Sequence, residues 1–305
     1  MDQRKPIRNF LICFSFIMSL SSFGKTLSVM SYNVQNLFDT AHDEGKNDYE
    51  FLPNKNKEKK KGCQSLKNSW YKKSCKKTNW TEEKLSLKIK QIKRVVEHAG
   101  FPDILGLVEV ENEKVVSRLA AKLGYDGVVV GNGLDKRGVD VALLYKKKNK
   151  NFKFVSYNEI KIKNTRSLLQ VTFSKKNKTY HFFVNHWPSQ GSSSKRRLEV
   201  AQTLRTHLDT LSKKDFVIMM GDFNTLETDS PHPFRKGLNH DQKYMDLTDK
   251  IVKDNLSGTY FYTRKMAWSY FDRIFISKNL KKKFSDYKVI APNFLTGAFE
   301  YKRKN

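Results

Sequence analysis

None of the seven histidines in this 305-residue chain follows His240, so its C-terminal stretch cannot supply an imidazole to any site. Cysteine is scarcer still, at three, and Cys13 sits in an apolar run near the N-terminus. Cys63 and Cys75 remain, with no histidine close enough in sequence to complete a zinc site of the usual spacing. With only seven prolines and fifteen glycines, no Pro/Gly-rich linker divides the chain, and no short-period repeat is present. One domain is the simpler expectation. No apolar run reaches the roughly 20 residues needed to span a bilayer, since the stretch from Phe10 to Leu20 falls well short. Acidic residues are outnumbered 31 to 58, for a formal net charge of +27. Such an excess draws polyanions through contacts to phosphates that carry no sequence information.

The N-terminus has the form of an export signal. Arg4, Lys5 and Arg8 precede the apolar run, and the small residues Ser22 and Gly24 follow it, giving a cleavage point before Lys25. Residues 1–24 are therefore set apart from the domain at 25–305, and the protein is expected in a periplasmic or extracellular space. Cys13 lies inside the run rather than after a small residue at its end, which argues against a lipid anchor. An oxidising destination favours a Cys63–Cys75 disulfide, which would stabilise by about 3 kcal/mol in the chain-entropy model.

Much of the positive charge crowds around those cysteines. Lys55, Lys57, Lys59, Lys60, Lys61, Lys67, Lys72, Lys73, Lys76 and Lys77 surround them, with Trp70 and Tyr71 in between. The segment 41–79 has no periodicity and reads as an inserted basic loop. It could grip a nucleic-acid backbone or stack on a base; a solvated, lysine-biased insert is the plainer alternative.

Elsewhere strands and helices alternate. Leu85, Ile89, Ile92 and Val96 repeat at helical spacing behind Asn79 or Thr81 as a cap, and a second helix spans about 113–123. Leu198, Ala201, Leu204, Leu208 and Leu211 share a face of a third, beginning near Ser192. Apolar strands are expected at 25–33, 103–109, 127–131, 139–145, 152–162, 167–173, 180–185, 216–220 and 271–276. Hairpin-like strands with few helices between them predict two packed sheets flanked by helices, not one parallel sheet.

Polar residues recur where these strands stop. The strand from Phe216 to Met220 runs straight into Gly221, Asp222 and Asn224; taken alone, this fits a turn as well as a site. Glu109 ends the apolar run from Ile104, and His186 follows Phe182 to Asn185. Asp272 interrupts the run from Tyr270 to Ile276, where a buried carboxylate needs a partner. His186 is the natural one, because a carboxylate fixes an imidazole's tautomer and raises its basicity.

In this order, Ser31-Tyr32-Asn33, Leu107-Val108-Glu109, Val184-Asn185-His186, Gly221-Asp222-Phe223-Asn224 and Tyr270-Phe271-Asp272-Arg273-Ile274 resemble the endonuclease/exonuclease/phosphatase superfamily, deoxyribonuclease I-like. With its leader, cysteine-bearing insert and Asn-His-Trp-Pro stretch, the chain is most similar to that group's exported bacterial endonucleases. The resemblance implies a four-layer α/β sandwich and Mg²⁺-dependent cleavage of a phosphate ester, with Mn²⁺ or Ca²⁺ in support. It gives Glu109 and Asn33 the metal, and Asp222 the attacking water. Asn224 and Arg137 would contact the phosphate, and His186, held by Asp272, would act as acid/base or cationic donor. Asp140 reads equally well as a structural hydrogen-bonding group.

The chain departs from that family at its end, where a Ser-Asp-His motif is expected and none occurs. The last core strand is therefore expected to be missing, in either a truncated version of an active enzyme or a weakened or inactive relative. Nucleic acid, DNA or RNA, is the expected substrate, with no integral membrane partner and no exposed apolar hairpin. The alternatives are a sphingomyelinase or phosphoinositide-type phosphoesterase and an inactive polyanion-binding relative.

Overall fold

Fourteen strands and five helices can be traced in the computed structural model, which describes residues 15–22, 24–147, 152–163, 165–248, 258–263, 265–292 and 294. The strands are β1 Ser15–Ser22, β2 Gly24–Leu37, β3 Ile104–Val110, β4 Gly127–Val130, β5 Asp140–Tyr145, β6 Lys153–Ile160 and β7 Leu168–Lys175. They continue with β8 Lys178–His186, β9 Phe216–Asp222, β10 Tyr244–Asp246, β11 Tyr260–Tyr262, β12 Ala267–Ser269, β13 Asp272–Ser277 and β14 Phe284–Ile290. The helices are α1 Lys57–Ser65, α2 Ser69–Lys77, α3 Glu82–His98, α4 Glu113–Leu123 and α5 Ser194–Leu208.

Two six-stranded mixed sheets carry the fold, in the orders β14-β1-β2-β3-β5-β4 and β10-β13-β9-β8-β7-β6. Their inner faces meet through Val29, Val108, Leu143, Phe182, Val184, Ile218 and Met220, all buried. Each such side chain stabilises by about 1.5–3 kcal/mol relative to exposure. On the outer face of the first sheet, α3 and α4 bury Leu85, Ile89, Ile92, Val115 and Leu119 against Met30, Leu105 and Leu107. On the second, α5 lays Val200, Ala201, Leu204 and Leu208 onto Phe183, Met219 and Phe275. The result is helix, sheet, sheet, helix, the two-sheet α/β sandwich expected from the strand pattern. Asn112 starts α4 by accepting from Val115 N at 3.0 Å, and Gly124, at φ +76°, closes it in the left-handed region.

Residues 15–22 lie within the stretch assigned to an export signal, and they form β1. It pairs antiparallel with β2 on one side and β14 on the other, and completes the first sheet. β14 stands at the edge of that sheet with β1 as its neighbour. Residues 1–14 fall outside the described residues.

The basic insert is helical rather than a loop. Asn56 and Asn68 cap α1 and α2 by accepting from the amides of Glu58 and of Trp70 and Tyr71. Neither helix has a wide apolar stripe, which is why periodicity misses them. They are held instead by the Cys63–Cys75 disulfide, with Cα atoms 5.6 Å apart, and by Lys59. The Lys59 ammonium is buried and donates to the carbonyls of Tyr49, Glu50 and Leu52 at 3.0, 3.0 and 2.8 Å. Burial pushes its pKa down to about 8. Gly62 lies so close to Tyr49 that a Cβ there would fall 2.2 Å from the ring.

Gly221 has the tightest approach in the functional half of the second sheet. At φ +129°, its missing Cβ would sit 2.0 Å from the carbonyl oxygen of Asn185 on the neighbouring strand. Neither the angle nor the space admits a side chain. Gly221→Ala is therefore expected to cost about 3–5 kcal/mol in urea unfolding; a loss below about 1 kcal/mol, within the range of ordinary substitutions, would contradict this packing.

Candidate active site

The ends of five strands converge on one cleft of about 1430 Å³. In the first sheet, β2 and β3 run parallel, with Asn33 opposite Val108, so Asn33 and Glu109 emerge at the same end. In the second, parallel β8 and β9 place His186 beside Asp222, and antiparallel β13 sets Asp272 opposite Asp222 from the other side. Sharp kinks turn the strand ends inward. Among the described residues, eight non-glycines have positive φ, and four of them, Gln35, Asn36, Glu109 and Asn224, line this cleft. Backbone in such regions costs of order 1–3 kcal/mol each and persists where surrounding structure imposes it.

Asn33 ties the floor together. Its Nδ2 donates to Glu109 Oε1 at 3.3 Å and to Asp222 Oδ2 at 3.2 Å, while its Oδ1 accepts from Gln35 N at 2.9 Å. The other Asp222 oxygen accepts from Asn224 N at 2.9 Å. Asn224 in turn donates from Nδ2 to the Trp187 carbonyl at 3.2 Å. His186 is buried, with Nε2 4.0 Å from Glu109 Oε1 and Nδ1 lacking a hydrogen-bond partner.

The expected pairing of His186 with Asp272 does not form. β9 runs between their strands, so Asp222 occupies the position between them and their backbones lie two strand spacings apart, roughly 9.6 Å. Asp272 is buried at the start of β13, where its amide donates to Thr259 Oγ1 at 3.0 Å.

Arg137 reaches the cleft wall, donating to Asn36 Oδ1 at 3.3 Å and lying over the Tyr71 ring at 5.3 Å. Arg166, which sequence reasoning missed, lines the same cleft and pairs with Asp135 at 3.1 Å. Arg166 precedes β7 within a Lys/Asn-rich connection and carries no local signal; only the fold brings it in. Asp140 resolves as structural, since its buried Oδ1 accepts from Gly133 N at 2.7 Å and burial raises its pKa to about 6.

Charge is finely divided on this floor. Burial, and then the Glu109 carboxylate, raise Asp222 from 3.8 to about 7, against hydrogen bonds from Asn224 and Asn33. Burial, with Arg166 and Arg137 nearby, pushes His186 well below its ordinary value and keeps the imidazole neutral. Ligand atoms of Glu109, His186 and Asp222 all lie within 4.8 Å of one another, so the trio could hold a divalent cation. The Asn33 amide oxygen retains a second lone pair for the same ion. Asp43, Asp48 and Glu111 form another such trio, but none of them lines the cleft.

Residues 28–301 match the model of the Endonuclease/Exonuclease/phosphatase family. No curated protein matches the chain. Among solved structures, an endonuclease/exonuclease/phosphatase family protein from Bacteroides thetaiotaomicron is 19% identical with a TM-score of 0.54, covering 86% of this chain and 89% of that one. A mannosyl-6-phosphatase from the same organism is 18% identical, TM-score 0.51, over 83% and 85% of the two chains. D. rerio TDP2 complexed with a single-strand DNA product is 17% identical, TM-score 0.52, over 62% and 76%. At these identities the likeness concerns the fold.

Because the Asp222 value is raised in the folded state, its contribution to stability is full below 3.8 and is lost as pH rises through about 7. A cation bound at the carboxylates must displace that proton at low pH. Added Mg²⁺ is therefore expected to raise the melting temperature more at about pH 8 than at about pH 6. Asp222→Asn should remove this pH dependence; equal Mg²⁺ stabilisation at both values would refute the assignment.

Proposed function

The chain belongs to the endonuclease/exonuclease/phosphatase family, a family of phosphoesterases, and we propose that this protein is a Mg²⁺-dependent phosphodiesterase that cuts DNA or RNA with weak sequence selectivity. One observation carries the proposal. Two carboxylates from different sheets, Glu109 and Asp222, share the Asn33 amide at the floor of a cleft whose rim bears Lys67, Lys136, Arg137, Arg166 and Lys265. Cationic walls suit a polyanionic strand, and an acidic floor suits a hydrated hard cation.

Glu109 and Asn33 would hold Mg²⁺, which when bound neutralises charge on the scissile phosphate. Asp222 would take a proton from the attacking water as general base. Its Oδ1 is steered by the Asn224 amide, and the remaining Asn224 Nδ2 hydrogen is available to a phosphate oxygen. Neutral His186 supplies an N–H donor, or accepts a proton, within reach of Glu109. Asp272 lies opposite Asp222 on the adjoining strand, two strands from His186.

The basic surplus favours nucleic acid over lipid headgroups. The β11–β12 hairpin does expose Met266, at 64%, against the expectation of no exposed apolar hairpin, yet its tyrosines Tyr260 and Tyr262 face the cleft. The leader-like N-terminus supports export, and a mature N-terminus at Lys25 is expected by mass spectrometry of exported protein; a product retained uncleaved in the cytoplasm would overturn that part.

Supercoiled plasmid should be nicked in Mg²⁺, with chelator stopping the reaction and Asp222→Ala slowing it about a hundredfold or more. Intact plasmid that still shifts on a gel in a salt-sensitive way would instead identify a polyanion-binding relative. Cleavage of sphingomyelin with no effect on plasmid would identify a lipid phosphodiesterase.

A further inference from the structure

The cleft has aromatic jaws that the hydrolytic chemistry does not use. On one side stand Trp70 and Tyr71 of α2; on the other, Tyr260 and Tyr262 of the β11–β12 hairpin, all four lining the same cleft as Glu109 and Asp222. Trp70 is 57% exposed and meets Tyr71 edge-on, with ring centroids 5.0 Å apart. An exposed indole on a helix that has no apolar core to join is poorly explained by packing. Tyr260 and Tyr262 present near-parallel rings, 6.5 Å apart and 17° from coplanar. Lys67 and Lys265 flank the two sides, so each wall pairs ring faces with positive charge.

The α2 wall is fixed rather than adaptable. The disulfide joins α1 to α2, Lys59 is pinned by three carbonyls, and Ser74 of α2 donates to Glu50 at 2.6 Å. Tyr71 is also held from the active-site side, its ring beneath the Arg137 guanidinium and its hydroxyl 3.4 Å from Nη1. The wall and the catalytic floor are thus mechanically one unit. A wall set in advance loses little entropy on binding a strand.

A paired duplex keeps its base faces stacked inside and offers only edges and phosphates to such rings. An unpaired strand offers base faces as well, and base–aromatic stacking is tolerant of sequence. The cleft, at about 1430 Å³, also exceeds the roughly 300–1,000 Å³ of a small-ligand pocket, which suits a run of nucleotides. We propose that Trp70 and Tyr71 on the disulfide-bridged insert and Tyr260 and Tyr262 on the hairpin form a base-stacking clamp that selects unpaired nucleic-acid strands and sets the scissile phosphate over Glu109 and Asp222. This rests on the nucleic-acid reading above, but it concerns the walls and not the floor.

Binding is measured by fluorescence anisotropy of labelled oligonucleotides in chelator, so that no cleavage intervenes. A single strand should bind about tenfold or more tighter than a duplex of equal length, and a strand of abasic residues, equal in charge, should lose that advantage. Trp70→Ala and Tyr262→Ala should each weaken single-strand binding about tenfold while leaving duplex binding unchanged, and Tyr262→Phe should retain it. Hydrolysis of a small chromogenic phosphodiester by the parent protein in Mg²⁺ reports separately on the floor. Equal affinity for single strand, duplex and abasic strand overturns the clamp, as do alanine variants that bind like the parent. If the small diester is cleaved while these binding results fail, only the clamp is lost. If the small diester is left intact as well, the reading of the floor fails with it.

Discussion

A single side-chain amide keeps two carboxylates from different sheets in company. Asn33 donates to Glu109 within its own sheet and to Asp222 across the interface. Without a donor there, two acidic groups at the mouth of an apolar core would repel and draw apart. The amide offsets part of that repulsion, while burial, and then the Glu109 carboxylate, raise the Asp222 carboxyl to about 7. The floor is therefore incomplete by design, short of positive charge that a proton or a metal ion can provide. Strand register, the kinks at Glu109 and Asn224, and the bare backbone of Gly221 all serve to bring these groups within a few ångströms.

Around this acidic floor the protein spreads its charge unevenly. Its surplus of lysine and arginine attracts polyanions from a distance, whereas the two nearest guanidiniums, Arg137 and Arg166, act at short range. Their charges, added to burial, make His186 a neutral imidazole. The same two arginines therefore help set the chemistry of the histidine while lining the cleft above it. Neither works as an isolated contact, because each is anchored by neighbours, Arg137 by Asn36 and Tyr71 and Arg166 by Asp135.

The sandwich was legible because its strands are apolar runs and its main helices repeat at helical spacing. Asn33, Glu109, His186, Asp222 and Asn224 were legible for a related reason: each follows buried strand residues, where an amide, imidazole or carboxylate has no structural excuse. What stayed hidden was relative position. Nothing in the order of motifs says that the strand bearing Asp222 intervenes between those bearing His186 and Asp272, and so the pairing inferred from chemical affinity failed on sheet order. Arg166 was invisible because its neighbours in sequence are ordinary connection residues. The insert looked structureless because its helices rest on a disulfide and a buried ammonium, neither of which leaves an apolar period.

β1 leaves a last consequence, for the edge of the first sheet. It is the one strand between β2, which carries Asn33, and β14. A chain beginning at Lys25 would lack it, and two strands would face each other across a gap one strand wide, with unpaired amides and carbonyls on both banks. Such a slot accepts any extended segment of suitable register. Removal of residues 1–24 would then leave the first sheet a slot for an extended strand, beside the strand that carries Asn33.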